Sequence, residues 1–242
     1  PGVVRLFESL SQESDNGAKV IVGSWGRSYK GVYSSFCKDY DAILRDTFTD
    51  VLFVTSSGNT GRTGTITVQN PADCKNSLAV GSGLNYGNDI RPNELGIDYL
   101  ADYSSTGPTA DGRIKPDIIA PGHFLLTANA NVNMVGECDG GVPDSRYGAR
   151  GDGVRYVSGT SYSAPSVAGS ATLIRQYFAE GWCKTDRCCG SKGCGLSINP
   201  SNSLLKALLL NGAVPMTGKV QRVPNGAVLD ESFAVYDGKQ GF

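Results

Sequence analysis

Residues 159–178 constrain the fold more than any other stretch of this chain. Gly159 leads into a run, Ser161 to Phe178, in which Ala164, Val167, Ala168, Ala171, Ile174 and Phe178 recur at intervals of three and four. That spacing is one face of an α-helix. So many small side chains predict a helix packed closely on all sides, deep in a domain. The chain supplies apolar strands to pack against it. Lys19–Ser24 reads as a short strand ending at glycine, and Val51–Val54 as a second, closed by the turn Ser56–Gly61. Ser77–Gly81 reads as a third. Between the first two, Cys37–Thr49 places Tyr40, Ile43, Leu44, Thr47 and Phe48 at helical spacing. Strand, helix, strand, strand is the order of a mostly parallel sheet with crossover helices. A further helix, Ser203–Leu210, follows Asn199-Pro200-Ser201 and ends at Asn211-Gly212. Residues 85–152, rich in Gly, Pro, Asn and Asp, read as long surface loops. No internal repeat and no linker divides the 242 residues.

Composition narrows the function classes. A net charge of −1 disfavours a polyanion partner, so no nucleic acid is expected. No apolar run exceeds four residues, so no transmembrane segment is expected. The single histidine, His123, excludes a site built from two histidines of this chain. Of seven cysteines, four crowd together as Cys183, Cys188, Cys189 and Cys194. Their spacing lacks the paired knuckles of a zinc site. Two local disulfides are the expectation, with free thiols or a metal as alternatives, and three pairings are open. Disulfides would place the protein in an oxidising compartment. Cys37, Cys74 and Cys138 remain, and the odd total leaves at least one without a partner in the chain.

Several chemical motifs are missing. There is no G-x-S-x-G, no G-x-x-x-x-G-K-[ST] and no H-E-x-x-H, and Gly81-Ser82-Gly83 lacks the third glycine of a dinucleotide fingerprint. What remains is Gly159-Thr160-Ser161-Tyr162-Ser163-Ala164-Pro165. A glycine turn delivers Ser161 to the start of the buried helix. By itself that reads either as an N-cap or as a hydroxyl at the positive end of a helix dipole. Asn59, after a buried strand, reads by itself as an ordinary turn residue.

Together these segments resemble the subtilisin-like serine peptidases. Residues 159–169 resemble that family's nucleophile motif, and Ser57-Gly58-Asn59-Thr60-Gly61 resembles its oxyanion-asparagine motif. Residues 103–109 and 111–122 resemble its F-S-S-x-G-P…K-P-D-[IV]-x-A-P-G segment. Residues 199–213 resemble the helix after the central one. The resemblance spans about residues 18–242, and the order agrees.

The resemblance implies an α/β fold of three layers, α/β/α, around a mostly parallel sheet. It implies a serine endopeptidase acting on polypeptides through an acyl-enzyme on Ser161, with Asn59 in the oxyanion hole. Substrate would lie between Ser24-Trp25-Gly26 and Ser56-Ser57-Gly58 as an added strand. The expected localisation, secreted or in the secretory-pathway lumen, follows from the disulfides if they form. The departures are specific. The aspartate and histidine motifs of the family triad should precede Asn59, and neither is present; His123 falls where the family has no catalytic residue. Both ends look cut, so residues 1–242 are expected to be a partial peptidase domain. Its missing N-terminal part would be present physically and would carry the triad aspartate and histidine. No cofactor is required. A structural calcium is implied at the turn Pro71–Cys74 through backbone carbonyls; the acidic loop Glu137, Asp139, Asp144 and Asp152 is another candidate place, read more readily as solvated loop charge. The alternatives are a catalytically inactive structural or binding domain of this fold, and an unrelated α/β ligand-binding domain.

Overall fold

A computed structural model describes residues 8–9, 12, 16–85, 96–128, 154–182, 197–217, 219–221 and 228–232. Its centre is a parallel sheet. Strands β1 (Val20–Gly23), β2 (Leu52–Ser56), β3 (Leu78–Gly83) and β5 (Ile118–Pro121) lie side by side in that order. The register sets Gly23 opposite Thr55 and Ser56 opposite Val80. β4 (Leu100–Ala101) pairs with β3 at Gly83 and with β8 (Lys219–Gln221), which pairs with β9 (Val228–Ser232). A separate hairpin joins β6 (Leu125–Ala128) to β7 (Val154–Val157).

The alternation of β2 builds the layers. Leu52 and Val54 point to one face, where Leu78, Val80, Ala164, Val167, Ala168, Ala171, Leu205 and Leu209 complete the main core. That face is covered by α2 (Thr160–Ala179) and α3 (Asn202–Asn211). Phe53 points the other way, onto Cys37, Tyr40 and Leu44 of α1 (Ser35–Asp46). Period-two strands between two helical faces produce the three-layer α/β/α arrangement.

The expected elements recur with small shifts. α1 begins at Ser35 because the Ser34 hydroxyl accepts from the Cys37 N–H, a side-chain cap. Two expectations need correction. Residues 85–152 contain β4, β5 and β6, and β5 pairs in parallel with β3 in the main sheet. Its apolar run is only Ile118–Ala120, bracketed by prolines, so it carries a weak strand signal. Nor is α2 packed on all sides. Pro165, Ser166, Gly169, Ser170, Leu173 and Tyr177 are exposed along one face. Ser166 and Ser170 on that face donate back to carbonyls of their own helix, and a Cβ on Gly169 would meet nothing within 4 Å.

Candidate active site

Ser161 is the second residue of α2, at the carboxyl ends of the parallel strands. The chain enters α2 through Gly159, whose φ of 152° is one that side-chain-bearing residues rarely adopt. Its N–H donates to Gly122 O at 2.8 Å. A Cβ on Gly122 would collide with Ser163 Oγ, so both glycines are required for this close approach.

Pro165 shapes the first turn of the helix. It has no N–H, so it cannot bond the carbonyl four residues back, which is that of Ser161. The Ser24 hydroxyl donates to that carbonyl instead, at 3.0 Å. The segment leaving β1 is thereby tied to the residue at the helix start.

Asn59 lies three residues past the end of β2 and is exposed. Its Oδ1 accepts from the Thr160 N–H at 2.9 Å and from Thr160 Oγ1 at 3.0 Å. Thr160 Oγ1 in turn accepts from the Gly58 N–H at 3.3 Å. Two donors on one carboxamide oxygen fix which atom is oxygen, and leave the Nδ2 hydrogens facing the other way. Nδ2 stands 3.4 Å from where a Cβ of Gly159 would be, beside the turn into Ser161. The Asn59 turn is anchored from behind. Ser105 N–H donates to Gly58 O (2.9 Å) and Gly61 N–H to Tyr103 O (2.9 Å). Arg62 makes a two-pronged contact with the buried Asp102 carboxylate, both distances 2.7 Å.

The sequence-derived substrate segments leave the ends of neighbouring strands. Ser24, Trp25 and Gly26 are exposed, and Trp25 meets Phe36 edge-on at 6.5 Å. Ser56, Ser57 and Gly58 are buried. The structure therefore brings Ser161, Asn59, Ser24 and the two segments together at one end of the sheet. His123 is buried, with its ring against Tyr103 (5.9 Å) and Phe124 (6.3 Å), in keeping with a core histidine.

At the turn expected to hold calcium, the backbone carbonyls of residues 71–74 lie within reach of protein hydrogen-bond donors. Pro71 O accepts from Cys74 N–H, and Ala72 O and Cys74 O from Ser77 Oγ. Asp73 O accepts from the Arg113 guanidinium at 2.7 Å. Each carbonyl already faces a proton donor, one of them cationic. Glu137, Asp139, Asp144 and Asp152, and Cys138, Cys183, Cys188, Cys189 and Cys194, lie outside the described residues. Cys37 and Cys74 form a disulfide, their Cα atoms 5.0 Å apart. With Asp73 they are the one group of metal-capable side chains among the described residues, and their sulfurs are bonded to each other. Burial pushes the Asp73 carboxyl up to about 6.

Sequence reasoning passed over Thr160, Arg62 and Asp102. A signal existed for one relationship: a proline four residues after Ser161 announces a carbonyl with no helical partner.

Similarity to known proteins agrees with this geometry. The model of the subtilase family matches residues 4–234. The serine protease/ABC transporter B family protein tagD of Dictyostelium discoideum is 35% identical over 150 residues, 59% of this chain and 8% of that protein. Pyrolysin of Pyrococcus furiosus is 25% identical over 232 residues, 88% of this chain and 14% of that protein. The chain thus spans a small part of the length of these relatives. Among solved structures, sphericase aligns with a TM-score of 0.53 at 21% identity, over 96% of this chain and 58% of that one. With a family match over nearly its whole length and the same fold, this chain belongs to the subtilase family of serine peptidases.

Proposed function

We propose that Ser161 is the nucleophile of a serine endopeptidase and that Asn59 Nδ2, with the Ser161 N–H, holds the oxyanion. The observation that carries this reading is the Asn59 carboxamide. Its oxygen is committed to Thr160, and its Nδ2 is left beside the Gly159 turn that leads into Ser161. In the reaction Ser161 Oγ bonds to the peptide carbonyl carbon while its proton passes to a base. The tetrahedral adduct collapses, the amine leaves with that proton, and water releases the acyl group. The base and its orienting carboxylate would come from a segment packed on the open edge of β1 and the exposed face of α2. His123, buried among aromatic rings, is not assigned that role. The disulfide Cys37–Cys74 supports an oxidising compartment and hence secretion. No helix among the described residues is long and apolar enough to cross a membrane.

The test uses the complete protein and a fluorogenic peptide. Ser161→Ala abolishes turnover and labelling by a serine-directed phosphonate. Asn59→Leu lowers kcat by about 10²–10³, the range for loss of one such donor in subtilisin, with KM little changed. Undiminished labelling in Ser161→Ala would overturn the assignment. Absence of labelling in the complete wild-type protein would favour a non-catalytic binding domain.

A further inference from the structure

The turn that carries Asn59 rests on the segment that follows β4. Gly58 O accepts from the Ser105 N–H at 2.9 Å, the Thr60 N–H donates to Ser105 Oγ at 3.1 Å, and the Gly61 N–H donates to Tyr103 O at 2.9 Å. The two stretches touch without a gap. A Cβ on Gly61 would collide with Ser104 O and lie 2.9 Å from Asp102 O. A charged pair spans the same seam. Arg62 donates through Nε to Asp102 Oδ2 and through Nη2 to Asp102 Oδ1, each at 2.7 Å. The Asp102 side chain is 4% exposed and that of Arg62 53%. The carboxylate is the buried member, so water is a poor substitute for the guanidinium. A planar guanidinium meeting both oxygens fixes direction as well as distance. The segment beneath is itself tied to the sheet. The Asp102 N–H donates to Gln221 O of β8 at 3.1 Å, and Ser104 Oγ accepts from the Ser82 N–H of β3 at 2.9 Å. The pair thus couples the turn, three residues past Asn59, to two strands.

We propose that Arg62 and Asp102 are positioning residues for the oxyanion hole. This inference rests on the reading of Ser161 as nucleophile and Asn59 as oxyanion donor. Two anchors then decide where Asn59 Nδ2 stands. Thr160 holds the carboxamide oxygen from α2, the helix that carries Ser161. That anchor keeps the donor in register with the nucleophile. The Arg62–Asp102 pair holds the turn against β4 and its neighbours. That anchor keeps the donor in register with the sheet, from which the substrate segments leave. The substrate carbonyl is placed by those segments, so donor and carbonyl meet correctly only if both anchors hold. The hydrogen bond from Nδ2 strengthens as charge develops on the oxygen, and a small displacement of the donor weakens it most in the transition state. The loss therefore falls on kcat, while backbone binding of the ground state, and with it KM, is little changed. A purely structural role would instead lower the amount of folded enzyme and leave kcat per active site as it was.

The experiment measures kcat and KM of the complete protein on a fluorogenic peptide, per active site titrated with a serine-directed phosphonate. Wild type, Arg62→Lys and Asp102→Asn are compared, each with and without Asn59→Leu. Asp102→Asn is expected to lower kcat roughly 5- to 20-fold, less than loss of the donor itself, with KM within about twofold. Arg62→Lys keeps the charge but not the two-pronged geometry, and its kcat is expected to fall between. In the Asn59→Leu background the same substitutions are expected to change kcat by less than about twofold, because the donor they position is gone. Should Asp102→Asn fail to fold, the double variant Arg62→Met with Asp102→Asn removes both charges, buries none unpaired, and carries the same comparison. An unchanged kcat across the variants overturns this inference and leaves the nucleophile standing. An equal loss with and without Asn59→Leu does the same, since it shows an effect that does not pass through Asn59. Failure of the phosphonate to label Ser161 in the wild type overturns both readings.

Discussion

At the scale of single residues, Asp73 shows burial working against a charge. Its carboxyl is shut away beside the disulfide, Oδ1 accepts from Asn70 Nδ2 at 3.0 Å, and Oδ2 has no hydrogen-bond partner. Burial raises its pKa to about 6, against an ordinary value near 4. The folded state therefore keeps a proton that the unfolded chain releases between about pH 4 and 6. Its contribution to stability is fully present below pH 4 and is lost as pH rises through 6. Asp73→Asn keeps an acceptor for Asn70 and removes the charge. It is expected to stabilise the protein at pH 8 by up to about 3 kcal/mol and to have little effect at pH 4. Urea unfolding at both pH values checks this, and a loss of stability at pH 8 would contradict it. Ser161 and Asn59 were legible in the sequence because each sits in a motif whose neighbours are glycines. Asp73 was not. Its environment comes from residues far along the chain, such as Arg113, and no local pattern announces such a contact.

At the scale of elements, α2 trades a helical hydrogen bond for a tertiary one. Pro165 withholds the N–H that would close the first turn, and Ser24 Oγ takes the Ser161 carbonyl. The two residues should therefore be coupled. In the wild type, Ser24→Ala leaves that carbonyl without its partner and is expected to cost about 1 kcal/mol. In a Pro165→Ala background the new N–H can bond the carbonyl, and the same substitution should cost little. A double-mutant cycle on thermal or urea stability measures the difference, and strict additivity would sink the idea. The elements themselves were readable where the period was long enough. α1, α2 and α3 each run ten residues or more, and β1, β2 and β3 carry apolar runs. β4 has two residues and β8 three, too few to establish any period. They exist because the sheet offers an edge to pair with, which is tertiary information.

At the scale of the whole molecule, one side of the described structure presents an open strand edge and an exposed helix face. Among the described residues nothing pairs with the outer edge of β1, where Val22 is 39% exposed. On α2, Leu173 is 67% exposed and Tyr177 stands beside it one turn on. An open strand edge next to an uncovered apolar helix face is a surface that pairs with another segment or with other copies. The same side holds the approach to Ser161, whose hydroxyl is a weak nucleophile without an adjacent base. His123 lies packed between Tyr103 and Phe124. On the proposed reading, a segment that completes the sheet and brings an imidazole to the serine would answer both. Residues 1–242 by themselves are expected to hydrolyse peptides far below enzymatic rates and to label with a serine-directed phosphonate at least about 10³-fold more slowly than the complete protein. Light scattering should show them self-associating through the uncovered side. Adding the segment that covers it should restore labelling and the monomer together, since one surface governs both. Rapid turnover by residues 1–242 alone, with Ser161 labelled at a normal rate, would place a base within these residues and overturn this account.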